Sequence, residues 1–340
     1  MGRIDEPVVV DVGIPTFDRP RFLRDAVESV LAQHLTGWRL TVRENGPGSE
    51  ESHAVLEPYL ADPRVRHAVN GESVGQAANH TLLLADGTAP YVAILHDDDR
   101  WAPEFLLRRV AMLDAHPEVG LVFGGAVNVD ESGRRLSDSD IPFAEGIPPA
   151  ESLVELLYQY NCIGVPSRAV VRRAAYEAVG PRFDDRFLFW DWEMWFRIAT
   201  RFPVGYVPYR DIDYRVHGGQ MTFTAHYDRQ QMLRFLDHVE AVVRRDLPTA
   251  HLPRRMRNRK RAGVMLSAAL DAVESGQRLT AVKALSDAVK RYPMVVIDPR
   301  VPALLATLPF GARAAPLLGR LRAYVLRLGL RHGIRIHRHR

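Results

Sequence analysis

The chain of 340 residues has one cysteine, Cys162, so no intrachain disulfide can form. That absence fits a reducing compartment, and the cytoplasm is the expected location. No stretch is both long enough and free enough of charge to span a bilayer. The opening Met1 to Pro7 has no apolar signal core, so neither a secretory leader nor an anchor is expected there. No internal repeat and no low-complexity segment occurs, which argues against a repeat array or a disordered linker protein. Acidic residues are missing from Gly311 to Arg340, a segment with eight arginines. Those arginines exceed the whole net charge of +4, so the rest of the chain is net acidic. Arg254 to Arg261 adds a second basic run. No nucleic-acid module accompanies either run, so no nucleic-acid partner is expected.

What remains is ordinary globular material, 46% hydrophobic and 25% charged, enough for one large domain or two. Val8 to Ile14 is a β-branched run and reads as a first strand, with a turn at Thr16 to Pro20. Leu23, Ala26, Val27, Val30 and Leu31 then recur at helical spacing. Trp38 to Val42 and Val65 to Val69 read as further strands, with a helix around Ser52 to Leu60 between them and another from Gly75 to Leu84. Tyr91 to Leu95 is a fourth strand. Strands alternating with helices predict an α/β fold with a mainly parallel sheet flanked by helices, and ligands on such sheets bind beyond the carboxyl ends of the strands. Pro15-Thr16, Glu44-Asn45 and Asp97-Asp98-Asp99 all fall at such ends.

The aspartate triplet is the sharpest of these features. Carboxylates crowded at a sheet edge are costly unless a cation neutralises them, and hard divalent ions with oxygen ligands do so while bridging to phosphates. The same triplet also serves as a solvated acidic turn before the helix near Pro103.

In order and spacing, these residues resemble the family 2 glycosyltransferases, which have the Rossmann-like GT-A fold; the resemblance runs from about Val8 to Phe223. Val12-Gly-Ile-Pro-Thr-Phe-Asp-Arg-Pro is similar to that family's opening strand and turn, and Ala26 to Gln33 to the helix after it. Glu44-Asn-Gly resembles its base-holding element, although Glu44 stands where Asp is usual. Asn70, Gly75 and Asn79 resemble its Asn-x-Gly and Ala-x-Asn segment. His96-Asp-Asp-Asp-Arg-Trp resembles its metal-binding Asp-x-Asp segment. Gly180 to Arg197 resembles its acceptor-side segment, with Trp190 where Glu is usual. Tyr214-Arg-Val-His217-Gly-Gly-Gln-Met-Thr resembles its closing Tyr-Arg-x-His motif.

The resemblance implies an inverting, metal-dependent transfer of a sugar from a UDP- or dTDP-sugar to a hydroxyl or amine. Pro15, Thr16, Glu44, Asn45, Asn79, Asp97 and Asp98 would bind the donor. Asp97, Asp99 and His217 would hold Mg²⁺ or Mn²⁺. Asp191 would take the acceptor proton, with Glu193 sharing or replacing it. The acceptor would be a glycan, a lipid-linked sugar or a small natural product. Two other functions fit part of the pattern. One is a nucleotidyltransferase, which would need a basic Gly-rich loop where Gly13-Ile14-Pro15-Thr16 stands. The other is a non-catalytic sugar-nucleotide or glycan-binding module, supported by the loss of Glu at Trp190.

Blander roles stand beside these. Asp191 and Glu193 serve equally to cap and solvate a helix, Trp192 and Trp195 pack a core or stack on a sugar, His96 is a local structural residue, and Cys162 is packed. The expected organisation is a GT-A domain over 1–225, with a nucleotide-sugar half at about 1–125 and an acceptor half at about 126–225. A helical, basic region follows over 226–340. In it, Leu317, Leu318, Leu321, Tyr324, Val325 and Leu328 make one apolar face, ringed by Arg320, Arg322, Arg327 and Arg331. Such a helix packs on its own domain or lies peripherally at the inner face of a membrane.

Overall fold

A computed structural model of the chain describes residues 7–139, 141–220 and 229–309. The basic amphipathic stripe at Leu317 to Leu328 lies outside the described residues, as do Met221, Thr222 and Phe223 at the end of the closing motif. By internal contacts the chain divides into two compact units, Met1–His217 with Val242–Ala250, and Gly218–Ala241 with His251–Arg340.

The first unit is built on a nine-stranded sheet. Strand β1 (Val10–Thr16) is buried along its whole length, which its β-branched run allows. Helix α1 (Pro20–Leu31) starts on a proline, whose missing N–H costs nothing in a first turn, and buries Phe22, Leu23, Ala26, Val27 and Val30. β2 (Trp38–Glu44) and β4 (Tyr91–Ile94) flank β1 in parallel, and β3 (Val65–Val69) adds to β2. The registers place Thr16 opposite Glu44, and Glu44 opposite Val69. The carboxyl ends of three strands therefore align on one edge.

β1 runs two residues further than its sequence suggests and includes Pro15. On the β4 side the pairing ends at Gly13 opposite Ile94, so the proline removes no ladder hydrogen bond there. The helix expected at Ser52 to Leu60 is α2 (Glu50–Leu56), capped by the Ser49 side chain accepting from the Ser52 N–H. It ends in a single 3₁₀ turn at Glu57–Tyr59, because Pro58 has no N–H to continue an α-helix. Helix α3 (Gln76–Ala85) lies close on β1: a Cβ added at Gly13 would sit 2.9 Å from the Leu83 side chain.

The second half of the sheet mixes directions. β5 (Arg100–Trp101), helix α4 (Phe105–Ala115), β6 (Leu121–Val129) and β7 (Arg135–Asp138) come first. Helix α5 (Ala150–Gln159), β8 (Ala169–Arg172), helices α6 (Arg173–Val179) and α7 (Trp190–Ala199), and β9 (Val204–Arg215) follow. The order across the sheet is β3-β2-β1-β4-β8-β6-β9-β5, with β7 on β6. β8 is antiparallel to both β4 and β6, whereas β9 is parallel to β6 and ends with Arg215 opposite Val129. Buried carboxylates anchor the sheet at two places. Asp11 accepts from Arg39, Arg173 and the Ala89 N–H, and Asp211 of β9 accepts from Arg109 of α4 at 2.9 Å.

Beyond β9 the described chain is helical: Arg229–Asp246, Arg254–Glu274, Arg278–Arg291 and Arg300–Thr307. Ala262, Leu266, Ala269, Val273, Ala281, Ala284, Ala288 and Leu304 form the core of the second unit. The basic run at Arg254 to Arg261 is partly neutralised within that unit, where Arg257 and Arg261 both pair with Glu240. No helix among the described residues is long and apolar enough to cross a membrane.

Candidate active site

The aspartate triplet follows β4 in a tight turn, closed by the Asp99 N–H donating to the His96 carbonyl at 3.1 Å. Each carboxylate has a different partner. Asp97 accepts from the Thr16 hydroxyl at the end of β1, at 2.8 Å. Asp98 lies 3.0 Å from His217 Nε2 and 3.6 Å from an Arg19 nitrogen. Asp99 accepts from the Ser167 hydroxyl at 2.7 Å and from the Arg215 N–H at 3.1 Å. All three aspartates are buried. Burial, reinforced by the charge of Asp98, holds the Asp97 and Asp99 carboxyls above the usual carboxylate range.

The turn brings His96 back beside the later aspartates. One ligand atom each from His96, Asp98 and Asp99 lies within 4.8 Å of the others, a set able to hold a metal ion. Of the expected ligands, Asp99 belongs to this set, Asp97 is engaged by Thr16, and His217 meets the site through Asp98. The donor set fits a divalent cation: two buried carboxylates crowd their charge, and an imidazole nitrogen completes a facing group.

Arg215 braces this edge. Its side chain donates to the Asp98 carbonyl, the Glu131 carbonyl and the Asp25 carboxylate, each within 3.0 Å, and its guanidinium lies 4.5 Å from the centre of the Phe22 ring. The His217 ring centre also lies 5.3 Å from that of Phe22.

Along the aligned strand ends lies a polar network. Glu44 accepts from the Ser49 N–H at 3.0 Å and lies 3.2 Å from His67 Nε2. Asn45 accepts from the Val74 N–H at 2.8 Å. Asn70 donates to Asn79 at 2.8 Å and itself accepts from Arg43 at 2.7 Å. Pro15 and Thr16 border this network on β1. Phe17 follows, 56% exposed, with its ring against Gly46. An exposed aromatic at that place is a feature the sequence reading passed over.

Asp191 sits in the first turn of α7 and is partly buried. Its oxygens accept from the Trp192 N–H at 2.6 Å and from the Asn161 amide at 3.4 Å. Burial pushes its carboxyl up to about 7 against those hydrogen bonds. Glu193 is fully buried and paired with Arg197 at 2.9 Å, and Arg197 also donates to the Val179, Gly180 and Arg182 carbonyls. The pair therefore fastens the turn before α7. Trp192 and Trp195 are buried, and their indole N–H groups donate to the Leu157 and Gly164 carbonyls, so both pack the core. Cys162 is buried and forms no disulfide.

Two connections join Asp191 to the aspartate triplet. Asn161 touches Asp191, and six residues on Ser167 touches Asp99. Trp190, next to Asp191, packs 4.4 Å from the His80 ring, and His80 Nε2 lies 3.3 Å from His96 Nε2. Burial pushes the His80 imidazole down to about 3 and lowers that of His96 as well. Asn161, Ser167, Arg215 and His80 join the site through contacts distant in sequence.

Comparison with known proteins bears on the fold and the family. The uncharacterized protein y4gI of Sinorhizobium fredii is 32% identical over 138 residues, covering 39% of this chain and 15% of y4gI. The chain spans less than half the length of the first curated relatives it matches. Among solved structures, Staphylococcus aureus TarS in complex with UDP-GlcNAc matches with a TM-score of 0.64 at 14% identity, over 92% of this chain and 91% of that one. The mannosyltransferase PcManGT of Pyrobaculum calidifontis, in complex with GDP-Man and Mn²⁺, matches with a TM-score of 0.53 at 16% identity, over 92% and 88%. These likenesses give the GT-A fold. The family model described as Glycosyl transferase family 2 matches residues 11–180, half of the chain. The chain belongs to glycosyl transferase family 2.

Proposed function

We propose that the protein transfers a sugar from a UDP- or dTDP-sugar to a hydroxyl or amine acceptor by a single displacement that inverts the anomeric centre. The observation that carries this reading is the short segment Asn161 to Ser167. Its first residue touches the Asp191 carboxylate and its last touches Asp99, so one short connection would space a base from a cation site. A carboxyl raised to about 7 by burial is matched to accepting a proton near neutrality. Glu193, neutralised by Arg197, is less suited to that task.

Residues of the aligned strand ends would take the nucleotide. Phe17 offers a face for the base, and Glu44 and Asn45 keep lone pairs for its N–H groups. Pro15, Thr16 and Asn79 shape that edge. His96, Asp98 and Asp99 would hold the cation, with His217 orienting Asp98. The imidazole in the set favours Mn²⁺ over Mg²⁺, which prefers oxygen ligands. A cation bound there supplies charge stabilisation for the departing diphosphate. Arg19, beside Asp98 and a third exposed, adds positive charge at the same place. A neighbour holding UDP-GlcNAc and another holding Mn²⁺ support this reading.

The domain limits proposed are a transferase domain over 1–225 and a helical region over 226–340. A glycan, a lipid-linked sugar or a small natural product would accept the sugar in the cytoplasm or at the inner membrane face. A thermal-shift screen of UDP-, dTDP- and GDP-sugars with Mn²⁺ tests the donor, because a ligand that binds only the native state raises its melting temperature. Stabilisation by UDP- or dTDP-sugars that depends on Mn²⁺ is expected. No stabilisation by any nucleotide sugar would contradict the proposal.

A further inference from the structure

The imidazole of His80 packs against aromatic side chains. It is buried, with Trp190 4.4 Å from its ring centre and Phe183 edge-on at 5.9 Å. Its two nitrogens face different partners. Nδ1 lies 2.8 Å from the Gln76 carbonyl oxygen, one turn earlier in α3. A carbonyl only accepts, so Nδ1 must carry a proton. Nε2 lies 3.3 Å from Nε2 of His96. Two facing nitrogens share one proton: one donates and the other accepts. A charged imidazole walled by rings is costly, so the neutral form holds, and His80 Nε2 is the bare acceptor. His96 Nε2 is then the donor. That leaves His96 Nδ1 as the nitrogen with a free lone pair.

We propose that His80 is a positioning residue, fixing His96 in the tautomer whose Nδ1 serves a divalent cation together with Asp98 and Asp99. Metal-ligating histidines ordinarily give their second N–H to an oxygen acceptor. Here a second histidine takes that place. Trp190 has a part in this arrangement: the ring packed on His80 keeps water from competing for the shared proton. The inference rests on the cation site under Proposed function and adds a specific tautomer pair to it.

Long-range ¹H–¹⁵N correlation of the full chain labelled in histidine tests it directly. Without metal, His80 is expected as the Nδ1–H tautomer and His96 as Nε2–H. Addition of Mn²⁺ with UDP should broaden the His96 ring signals. Mn²⁺ affinity, read by the electron paramagnetic resonance of the free ion, should fall about 10- to 100-fold in His80→Phe. In His80→Gln, whose amide oxygen still accepts the His96 proton, it should fall by no more than a few-fold. His96 found as Nδ1–H overturns the proposal, as does wild-type affinity in a folded His80→Phe. Should His80→Phe not fold, the wild-type tautomers and His80→Gln decide. A wild-type chain that binds no Mn²⁺ with UDP overturns the cation site itself. Mn²⁺ binding with His96 signals left sharp takes His96 out of the cation site and overturns this proposal with it. Mn²⁺ binding that broadens His96, while the free chain shows it as Nδ1–H, overturns this proposal alone.

Discussion

The Ser167 hydroxyl donates to Asp99 at 2.7 Å across 68 residues of sequence. The same oxygen accepts the His96 N–H at 3.0 Å, so one side chain fixes both ends of the turn that gathers the candidate cation ligands. Ser167→Ala should leave the fold intact, since it removes one hydroxyl, and should weaken Mn²⁺ binding about tenfold, the usual scale for a group that orients a ligand. Titration of Mn²⁺ in the presence of UDP checks this; unchanged affinity would place the hydroxyl outside the site's function.

Asp191→Asn should lower turnover roughly a hundredfold or more while donor affinity stays within a few-fold, because a general base acts on the chemical step. In the wild type, the base must be ionised to accept a proton. With its carboxyl at about 7, turnover should rise through neutral pH and level off above it, and that limb should vanish in the variant. A pH–rate profile with no ionisation near neutrality would remove Asp191 from the role.

The same group has a cost in stability. The native carboxyl keeps its proton up to about 7, whereas the unfolded one releases it near 3.8. Across that interval the native state binds more protons, so stability is lost as pH rises. Asp191→Asn never ionises. Its melting temperature should gain on the wild type as pH climbs through that interval and keep the gain above it. A gap independent of pH would contradict the burial described for this carboxyl.

Glu193→Gln should act on the fold rather than on the reaction. It removes a buried partner of Arg197 and leaves that charge uncompensated, a change of about 3 kcal/mol. The expected result is a lower melting temperature with turnover of the folded fraction within a few-fold of wild type. A stable but inactive Glu193→Gln would instead transfer the base to Glu193.

Phe17→Ala should raise the donor Michaelis constant about tenfold with little change in turnover, since a stacked base is bound alike before and during reaction. Equal constants for the two proteins would show that the exposed ring does not meet the nucleotide.

Much of this architecture was legible because it is local. β-branched runs ending in polar clusters announced β1, β2 and β4, and the regular alternation with helices predicted their parallel pairing. What escaped was tertiary. Ser167, Asn161 and His80 carry no motif of their own and matter only through partners 68, 30 and 16 residues away. Metal ligands were expected at Asp97, Asp99 and His217, and the turn closed between His96 and Asp99 adds His96, Asp98 and Asp99 as a group able to hold an ion. Asp97 meets Thr16 of β1, a contact 81 residues apart that no local pattern announces. For Trp192 and Trp195 the sequence left core packing and sugar stacking open, and their burial, with indole N–H groups donating to backbone carbonyls, favours the core.

The central claim is that a cation held by His96, Asp98 and Asp99 joins the nucleotide diphosphate to the strand ends. Calorimetric titration of UDP and dTDP into the full chain, with Mn²⁺, with Mg²⁺ and with excess chelator, tests it most directly, repeated on Asp98→Ala. At least one nucleotide should bind about tenfold or more tightly with Mn²⁺ than in chelator, with Mg²⁺ between, and the difference should disappear in the variant. Equal affinity in Mn²⁺ and chelator, or a variant that keeps the full metal effect, would contradict the account.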